Sequence, residues 1–189
     1  FANSFLVEAS AEQLNANAPL LVTARGENKA EYRIITAIYP DKTVAKQAAH
    51  SKAQKHLLQM AENERVLANR GVHVFQGELK NGVWTRPFYN LRRADTCFSE
   101  YLKHAELNEV WKMVEELREN LLKSSEISFD ADNALVQRGI ASPDESFGAI
   151  LEHGYVDMTF YNAFVDENRL VFFDQEWMIP KLPLEFILY

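Results

Sequence analysis

The alternation of apolar and polar positions predicts that the chain begins with strands. Residues 4–9 and 20–24 form two short apolar runs that are separated by a polar stretch. Residues 31–39, EYRIITAIY, are rich in β-branched and aromatic side chains, and Pro40-Asp41 follows them directly. A β-branched run that ends in a Pro-Asp pair is typical of a strand followed by a turn. The first forty residues therefore predict three strands.

A long helix and a hairpin are predicted next. The stretch 43–69 contains no Gly or Pro and is rich in Ala, Lys, Gln, Leu and Glu, so we expect one long helix that ends at Gly71. Asn81-Gly82 lies between two strand-like runs, and this dipeptide is a strong hairpin signal. The predicted order of the first half is strand, strand, strand, long helix and hairpin.

The middle of the chain has helical spacing. Residues 94–104 and 107–124 each carry apolar residues at intervals of three and four, which predicts two amphipathic helices. We expect the apolar stripe of the second helix to lie in the core; it consists of Val110, Trp111, Val114, Leu117, Leu121 and Leu122. The segment 125–148 is mixed and polar, and its pattern predicts no regular element. A change of composition near residues 90–94 is the candidate boundary between two lobes.

The last forty residues carry the candidate chemistry. Two apolar runs flank Asp166-Glu167-Asn168 and predict a hairpin. Asp157 and Asn162 precede its first strand, and Asp174 follows its second. Because a hairpin brings its two ends together, we expect these three side chains to lie close to one another. Carboxylate and amide oxygens are hard ligands that suit Mg²⁺.

The spacing of these residues is typical of a protein-kinase-like phosphotransferase centre. In such a centre an Asp, an Asn five residues later, a hairpin and a second Asp follow one another. Asp157 would accept the proton of the attacking hydroxyl, and Asn162 and Asp174 would bind the metal. The alternative is that Asp157 and Asn162 stabilise a turn and Asp174 ends a strand. The front half has the element order of a kinase amino-terminal lobe, in which the long helix supplies a Glu to an ion pair with a strand Lys.

This reasoning predicts an α+β, two-lobed, protein-kinase-like fold. Residues 1–91 would form a strand-rich amino-terminal lobe with one long helix. Residues 92–189 would form a reduced helical carboxy-terminal lobe, with the catalytic hairpin at 155–177.

Composition and charge narrow the function classes further. The 189 residues are 47% hydrophobic and 25% charged, as in an ordinary globular protein. The net charge of −7 argues against a general nucleic-acid binder. A single cysteine, Cys97, excludes a disulfide framework and a Cys-rich zinc site, and fits a reducing cytoplasm. No apolar run approaches the ~20 residues that a membrane span needs.

Three segments carry a family resemblance: FANSFLV near the start, EYRIITAIY, and residues 155–189. In the last segment Asp157-Met158, Asn162 and the sequence DQEW at 174–177 are followed by a Pro-containing apolar stretch. Together they resemble the kinase-like region found next to SAM-dependent methyltransferase domains in bacterial surface-polysaccharide (O-antigen type) biosynthesis proteins.

The resemblance implies an Mg²⁺- and ATP-dependent phosphotransferase in the bacterial cytoplasm. Its acceptor would be a glycan or another small hydroxyl compound. Glu176 would orient a metal-bound water or anchor the loop. The methyltransferase domain would precede Phe1 in the same chain, so we expect these 189 residues to be a fragment of a longer protein.

Three departures from the kinase pattern favour an alternative, a non-catalytic pseudokinase that serves the methyltransferase as a scaffold or regulator. Tyr155 stands where the His two residues before the catalytic Asp is usual. A Gly-rich phosphate loop is missing, and Asn3-Ser4 would bind phosphate in its place. The strand Lys is not evident. Arg33 would substitute for it, with Glu62 or Glu64 as its helix partner, or would be an exposed strand residue.

Overall fold

The computed structural model describes residues 4–5, 18–24, 29–142 and 144–188. These residues form a mixed α+β fold with twelve strands and five α-helices. The chain divides into two compact units, of which the first comprises Phe1–Glu62 and Gln76–Asn90 and the second comprises Asn63–Phe75 and Leu91–Tyr189. The predicted division at residues 91 and 92 differs from this one in the placement of 63–75 and of Leu91. None of the helices described is long and apolar enough to cross a membrane.

The first unit contains a six-stranded antiparallel sheet with the order β1-β2-β3-β4-β6-β5. Its strands are β1 Ser4–Phe5, β2 Leu21–Ala24, β3 Ile34–Ile38, β4 Thr43–Ala48, β5 Glu78–Lys80 and β6 Val83–Pro87. The predicted hairpin at Asn81-Gly82 is confirmed: these two residues join β5 to β6, and both have positive φ values of 51° and 77°. Such a pair is the signature of a two-residue type I′ turn.

A helix covers part of this sheet and builds the core of the first unit. Helix α1 spans Gln54–Asn69 and follows a short 3₁₀ helix at Ser51–Ala53. Leu57 and Met60 of α1 are fully buried together with Trp84 of β6. Burying three large side chains of this kind contributes on the order of 5–9 kcal/mol before chain entropy is counted.

The prediction of one helix over 43–69 is wrong in its first third. Residues 43–48 form β4, which pairs with β3 in the register Ile38↔Val44 to Ile34↔Ala48. A turn at residues 39–42 closes this hairpin, with Lys42 at a φ of 64° and the Asp41 carboxylate accepting a 2.9 Å hydrogen bond from the Thr43 N–H. The Ala, Lys and Gln of this segment favour a helix locally, but pairing with two neighbouring strands outweighs that preference.

The second unit contains two three-stranded sheets, with the orders β11-β10-β7 and β12-β9-β8. Its strands are β7 Arg92–Arg93, β8 Ile127–Ser128, β9 Ile150–Tyr155, β10 Ala163–Asp166, β11 Arg169–Phe172 and β12 Met178–Pro183. Residues 63–69 of α1 belong to this unit. Its remaining helices are α2 Ala94–Lys103, α3 Leu107–Lys123, α4 Ala134–Gln137 and α5 Leu184–Leu188.

The predicted helices and hairpin of this unit are confirmed, with one correction in the core. Leu117 and Leu121 of α3 are buried as expected, but Trp111 is 64% exposed. The buried face of α3 begins at Met113. A residue two positions away lies about 200° around a helix, so Trp111 faces away from that core.

Candidate functional site

Asp157 lies directly after β9, in a loop that meets a second, sequence-distant segment. Its carboxylate Oδ2 accepts two hydrogen bonds of 2.8 Å, from the backbone N–H groups of Glu176 and Trp177. Two N–H donors on one oxygen fix the orientation of the carboxylate. The candidate base is therefore held beside the segment that begins with Asp174.

Asn162 approaches the same segment from the other side of the hairpin. It ends a 3₁₀ helix at Phe160–Asn162, and its backbone oxygen accepts a 2.9 Å hydrogen bond from the N–H of Phe173. The hairpin itself turns at Glu167 and Asn168, both with positive φ, so that Ala163 pairs with Phe172. The backbones of Asn162 and Asp174 are thus brought together by the fold.

Asp174 has a left-handed backbone conformation, with a φ of 57°. Asp is among the few non-glycine residues that adopt this region without a large penalty. The chain turns sharply here, and the backbone oxygen of Asp174 accepts a 2.9 Å hydrogen bond from the Glu176 N–H. Left-handed residues held by their surroundings are common at functional sites.

The environment of Asp157 makes it a better proton acceptor near neutral pH. Burial is the main cause that raises the pKa of the Asp157 carboxyl to about 6; the negative charges of Glu176 and Asp174 contribute to this rise, and the two N–H donors oppose it. A carboxyl group with a pKa near 6 is ionised at pH 7 and binds a proton more readily than an ordinary Asp. Perturbed carboxyl groups in such clusters are frequent at catalytic sites.

The side-chain oxygens available in this segment are of the kind that suits Mg²⁺, but they would not by themselves form a complete cage. Asn162 and Asp174 supply an amide oxygen and a carboxylate. Within the described part of the chain, no group of three or more His, Cys, Asp or Glu side chains is arranged to hold a metal ion. Mg²⁺ in phosphotransferases is usually bound through one or two protein ligands, waters and substrate phosphates, so the donor set fits that mode of binding.

Residues that sequence reasoning missed hold the loop between Asp157 and Asn162. The Arg93 guanidinium donates to the Asp95 carboxylate at 2.9 Å and to the backbone oxygen of Tyr161 at 3.0 Å. The rings of Phe98 and Phe160 stack with their centroids 4.7 Å apart. No local sequence signal marks these pairs, because they depend on how α2 packs against the loop.

The predicted nucleotide-binding residues belong to the first unit. Asn3 lies outside the described residues; Ser4 begins β1, and its side chain is likewise not described. Arg33 is half-buried just before β3, and its backbone oxygen accepts a 2.9 Å hydrogen bond from the Ala49 N–H.

Lys46 is a second candidate cation, which the erroneous helix prediction concealed. It lies on β4, is 2% exposed, and its Nζ is 3.7 Å from the Met60 sulfur. A buried lysine in a strand is rare and is usually paired or functional. The signal that could have revealed it is the β-branched pair Thr43-Val44 after the Pro40-Asp41 turn.

The two candidate ion-pair partners on α1 differ in how deeply they are buried. Glu62 is exposed, whereas Glu64 is 1% exposed. An ion pair between either residue and a strand cation stays a prediction. Tyr155, in the place of the usual His, is buried at 3% exposure and ends β9.

Comparisons of the chain with protein-family models, curated proteins and solved structures found no significant match.

Proposed function

We propose that the chain is a kinase-like phosphotransferase module with a two-lobed, protein-kinase-like fold. The observation that carries the proposal is the hydrogen bonding of the Asp157 carboxylate to the N–H groups of Glu176 and Trp177. It holds the candidate base beside the segment that begins with Asp174, whose side chain would bind the metal. The first unit would be the amino-terminal lobe and the second the reduced carboxy-terminal lobe.

In the proposed reaction the four site residues of the second unit have distinct roles. Asp157 accepts the proton of the acceptor hydroxyl, for which a carboxylate with a pKa of about 6 is suited at neutral pH. Asn162 and Asp174 would hold Mg²⁺. When bound, the metal would neutralise the charge of the nucleotide phosphates. Glu176 would keep the loop in place, since its N–H donates both to Asp157 and to the Asp174 oxygen.

The first unit would supply a cation for the nucleotide. Kinase-like phosphotransferases use a lysine on a strand to bind nucleotide phosphates. Lys46 on β4 suits this task better than Arg33, because an ammonium on a flexible stem reaches a phosphate from within a sheet more easily than a guanidinium does. Arg33 remains the alternative.

The wider setting of the proposal comes from the resemblance of residues 155–189 to the kinase-like regions of bacterial polysaccharide-biosynthesis proteins. The acceptor would be a glycan or another small hydroxyl compound, the site of action would be the cytoplasm, and a methyltransferase domain would lie upstream in the same chain.

The second candidate function is a pseudokinase that binds partners without catalysis. Tyr155 favours it, because a buried tyrosine replaces the histidine that usually braces the catalytic loop. A pseudokinase would retain the fold, and would show weak nucleotide binding or none.

The test measures the melting temperature with and without millimolar ATP and Mg²⁺. We expect a rise that Asp174→Asn removes, because asparagine keeps the left-handed backbone of residue 174 and loses the charge. Asp166→Asn, at the exposed end of β10 in the same hairpin, is the matched control and should keep the rise. No rise in the unmodified chain would refute the proposed nucleotide binding. A rise without transfer of the ATP γ-phosphate to any of a panel of methyl glycosides would favour the pseudokinase.

A further inference from the structure

The residue between Asp174 and Glu176 is a fully buried amide. Gln175 is 0% exposed, and its side-chain Nε2 donates to the backbone oxygen of Phe173 at 2.8 Å and to that of Asp157 at 3.3 Å. One side chain therefore links the strand end that leads into Asp174 with the residue proposed as the base. This link is separate from the two hydrogen bonds that the Asp157 carboxylate accepts.

A second buried amide attaches the same residue to helix α1. Asn63 is 2% exposed, and its Nδ2 donates a 2.9 Å hydrogen bond to the backbone oxygen of Gln175. The donor and the acceptor are 112 residues apart in the sequence. Consequently the turn that contains Asp174 is held from two directions, by α1 and by the Asp157 loop.

Packing alone does not explain a glutamine at position 175, because burying its polar side chain costs free energy. Its Oε1 is buried and accepts no hydrogen bond from the described residues. A buried amide with an unused acceptor is less favourable than an apolar side chain of the same length, such as methionine. The use of an amide here is accounted for if its Nε2 has a specific positioning task.

The left-handed backbone of Asp174 is the feature that Gln175 would hold in position. At a φ of 57°, Asp174 occupies a backbone region that Asp tolerates but does not prefer, so contacts on either side of it help to keep the chain there. The hydrogen bonds of Gln175 fix the backbone on both sides of Asp174.

We propose that Gln175 and Asn63 are positioning residues, which hold the Asp174 turn against the Asp157 loop and attach it to helix α1. Their hydrogen bonds stand independently of any activity, whereas their effect on ligand binding rests on the proposed function.

The first arm of the test uses the chain without ligand. Hydrogen exchange of the Glu176 and Trp177 amides is measured in Gln175→Met, which keeps the length of the side chain and removes its donor. We expect these two amides to exchange roughly tenfold faster than in the unmodified chain, relative to the amides of Leu117 and Leu121 in α3. Unchanged exchange would overturn the positioning role.

Two further variants make this arm specific. Asn120→Leu removes another buried hydrogen bond of the second unit, the 2.8 Å bond from Asn120 Nδ2 to the backbone oxygen of Glu116. It should leave the exchange rates of the Glu176 and Trp177 amides unchanged. Asn63→Leu should accelerate the same amides as Gln175→Met. Because it changes only a helix residue, it serves as the test if the methionine variant does not fold.

The second arm measures the rise in melting temperature with ATP and Mg²⁺. We expect Gln175→Met to lose most of that rise and Asn120→Leu to keep it. Faster exchange together with an unchanged rise would refute the effect on the ligand site. Faster exchange in a chain that shows no rise at all would refute the proposed function and the ligand-binding half of the inference, while the positioning of the turn would stand.

Discussion

Replacing Asp157 by asparagine should make the protein more stable at neutral pH. Asparagine has nearly the shape of aspartate, and its side-chain oxygen can accept the same N–H groups of Glu176 and Trp177 that the carboxylate accepts now. The substitution removes only the charge. Burial disfavours that charge, and so do the neighbouring carboxylates of Asp174 and Glu176.

The magnitude follows from the pKa of Asp157, which burial raises from 3.8 to about 6. A carboxyl group with a raised pKa binds protons more tightly in the folded state, so stability falls as the pH rises from about 4 to about 6 and is constant above that range. At 1.36 kcal/mol per pH unit, ionisation costs up to about 3 kcal/mol at pH 7. The half-buried carboxylate is partly screened by solvent, which reduces the expected gain to about 1–2 kcal/mol.

Urea denaturation between pH 4 and pH 8 measures this effect directly. Asp157→Asn should show a higher free energy of unfolding at pH 7 and a weaker dependence on pH between 4 and 6. Asp166→Asn, which changes an exposed carboxylate on the same hairpin, is the control. If Asp157→Asn is less stable at pH 7, or if it keeps the full pH dependence of the unmodified chain, the argument from burial is refuted.

Four further substitutions, at three residues, test the cation and the core. Lys46→Met should abolish the rise in melting temperature with ATP and Mg²⁺, whereas Arg33→Met should keep it; the opposite result would identify Arg33 as the phosphate-binding residue. Burial raises the pKa of Glu116, whose Oε1 accepts a 2.6 Å hydrogen bond from the N–H of the buried Leu170. In urea denaturation at pH 7, Glu116→Gln should therefore preserve or increase stability, and Glu116→Ala, which leaves that N–H without its acceptor, should lower it by about 1–3 kcal/mol.

Local sequence patterns were sufficient to predict the elements whose contacts join residues close together in the chain. The hairpin of β10 and β11 follows from two apolar runs around a polar turn, and α2 and α3 follow from apolar spacing alone. The approach of the Asn162 and Asp174 backbones could be predicted because a tight hairpin necessarily brings its two ends together. The prediction did not require any knowledge of tertiary packing.

Long-range packing decides the features that the sequence did not reveal. Residues 43–48 have a helix-forming composition, and only their pairing with β3 and β6 makes them a strand. The burial of Lys46 follows from that pairing, so both were missed together. The contacts of Arg93 with Tyr161 and of Asn63 with Gln175 join residues 68 and 112 positions apart, and no local pattern specifies such pairs.

The charge of Asp157 bears on the choice between an enzyme and a pseudokinase. A module that only binds partners needs the loop to be held, and a neutral asparagine would accept the same two N–H groups at a lower cost. The half-buried carboxylate beside two further acids would therefore destabilise the fold without a structural benefit, as is common for groups that serve chemistry. If Asp157→Asn stabilises the fold, keeps the melting-temperature rise with ATP and Mg²⁺, and loses phosphoryl transfer, the charge serves catalysis. If it stabilises the fold and no transfer is detected in either form, the same charge has no task in this protein, and the pseudokinase becomes the better account.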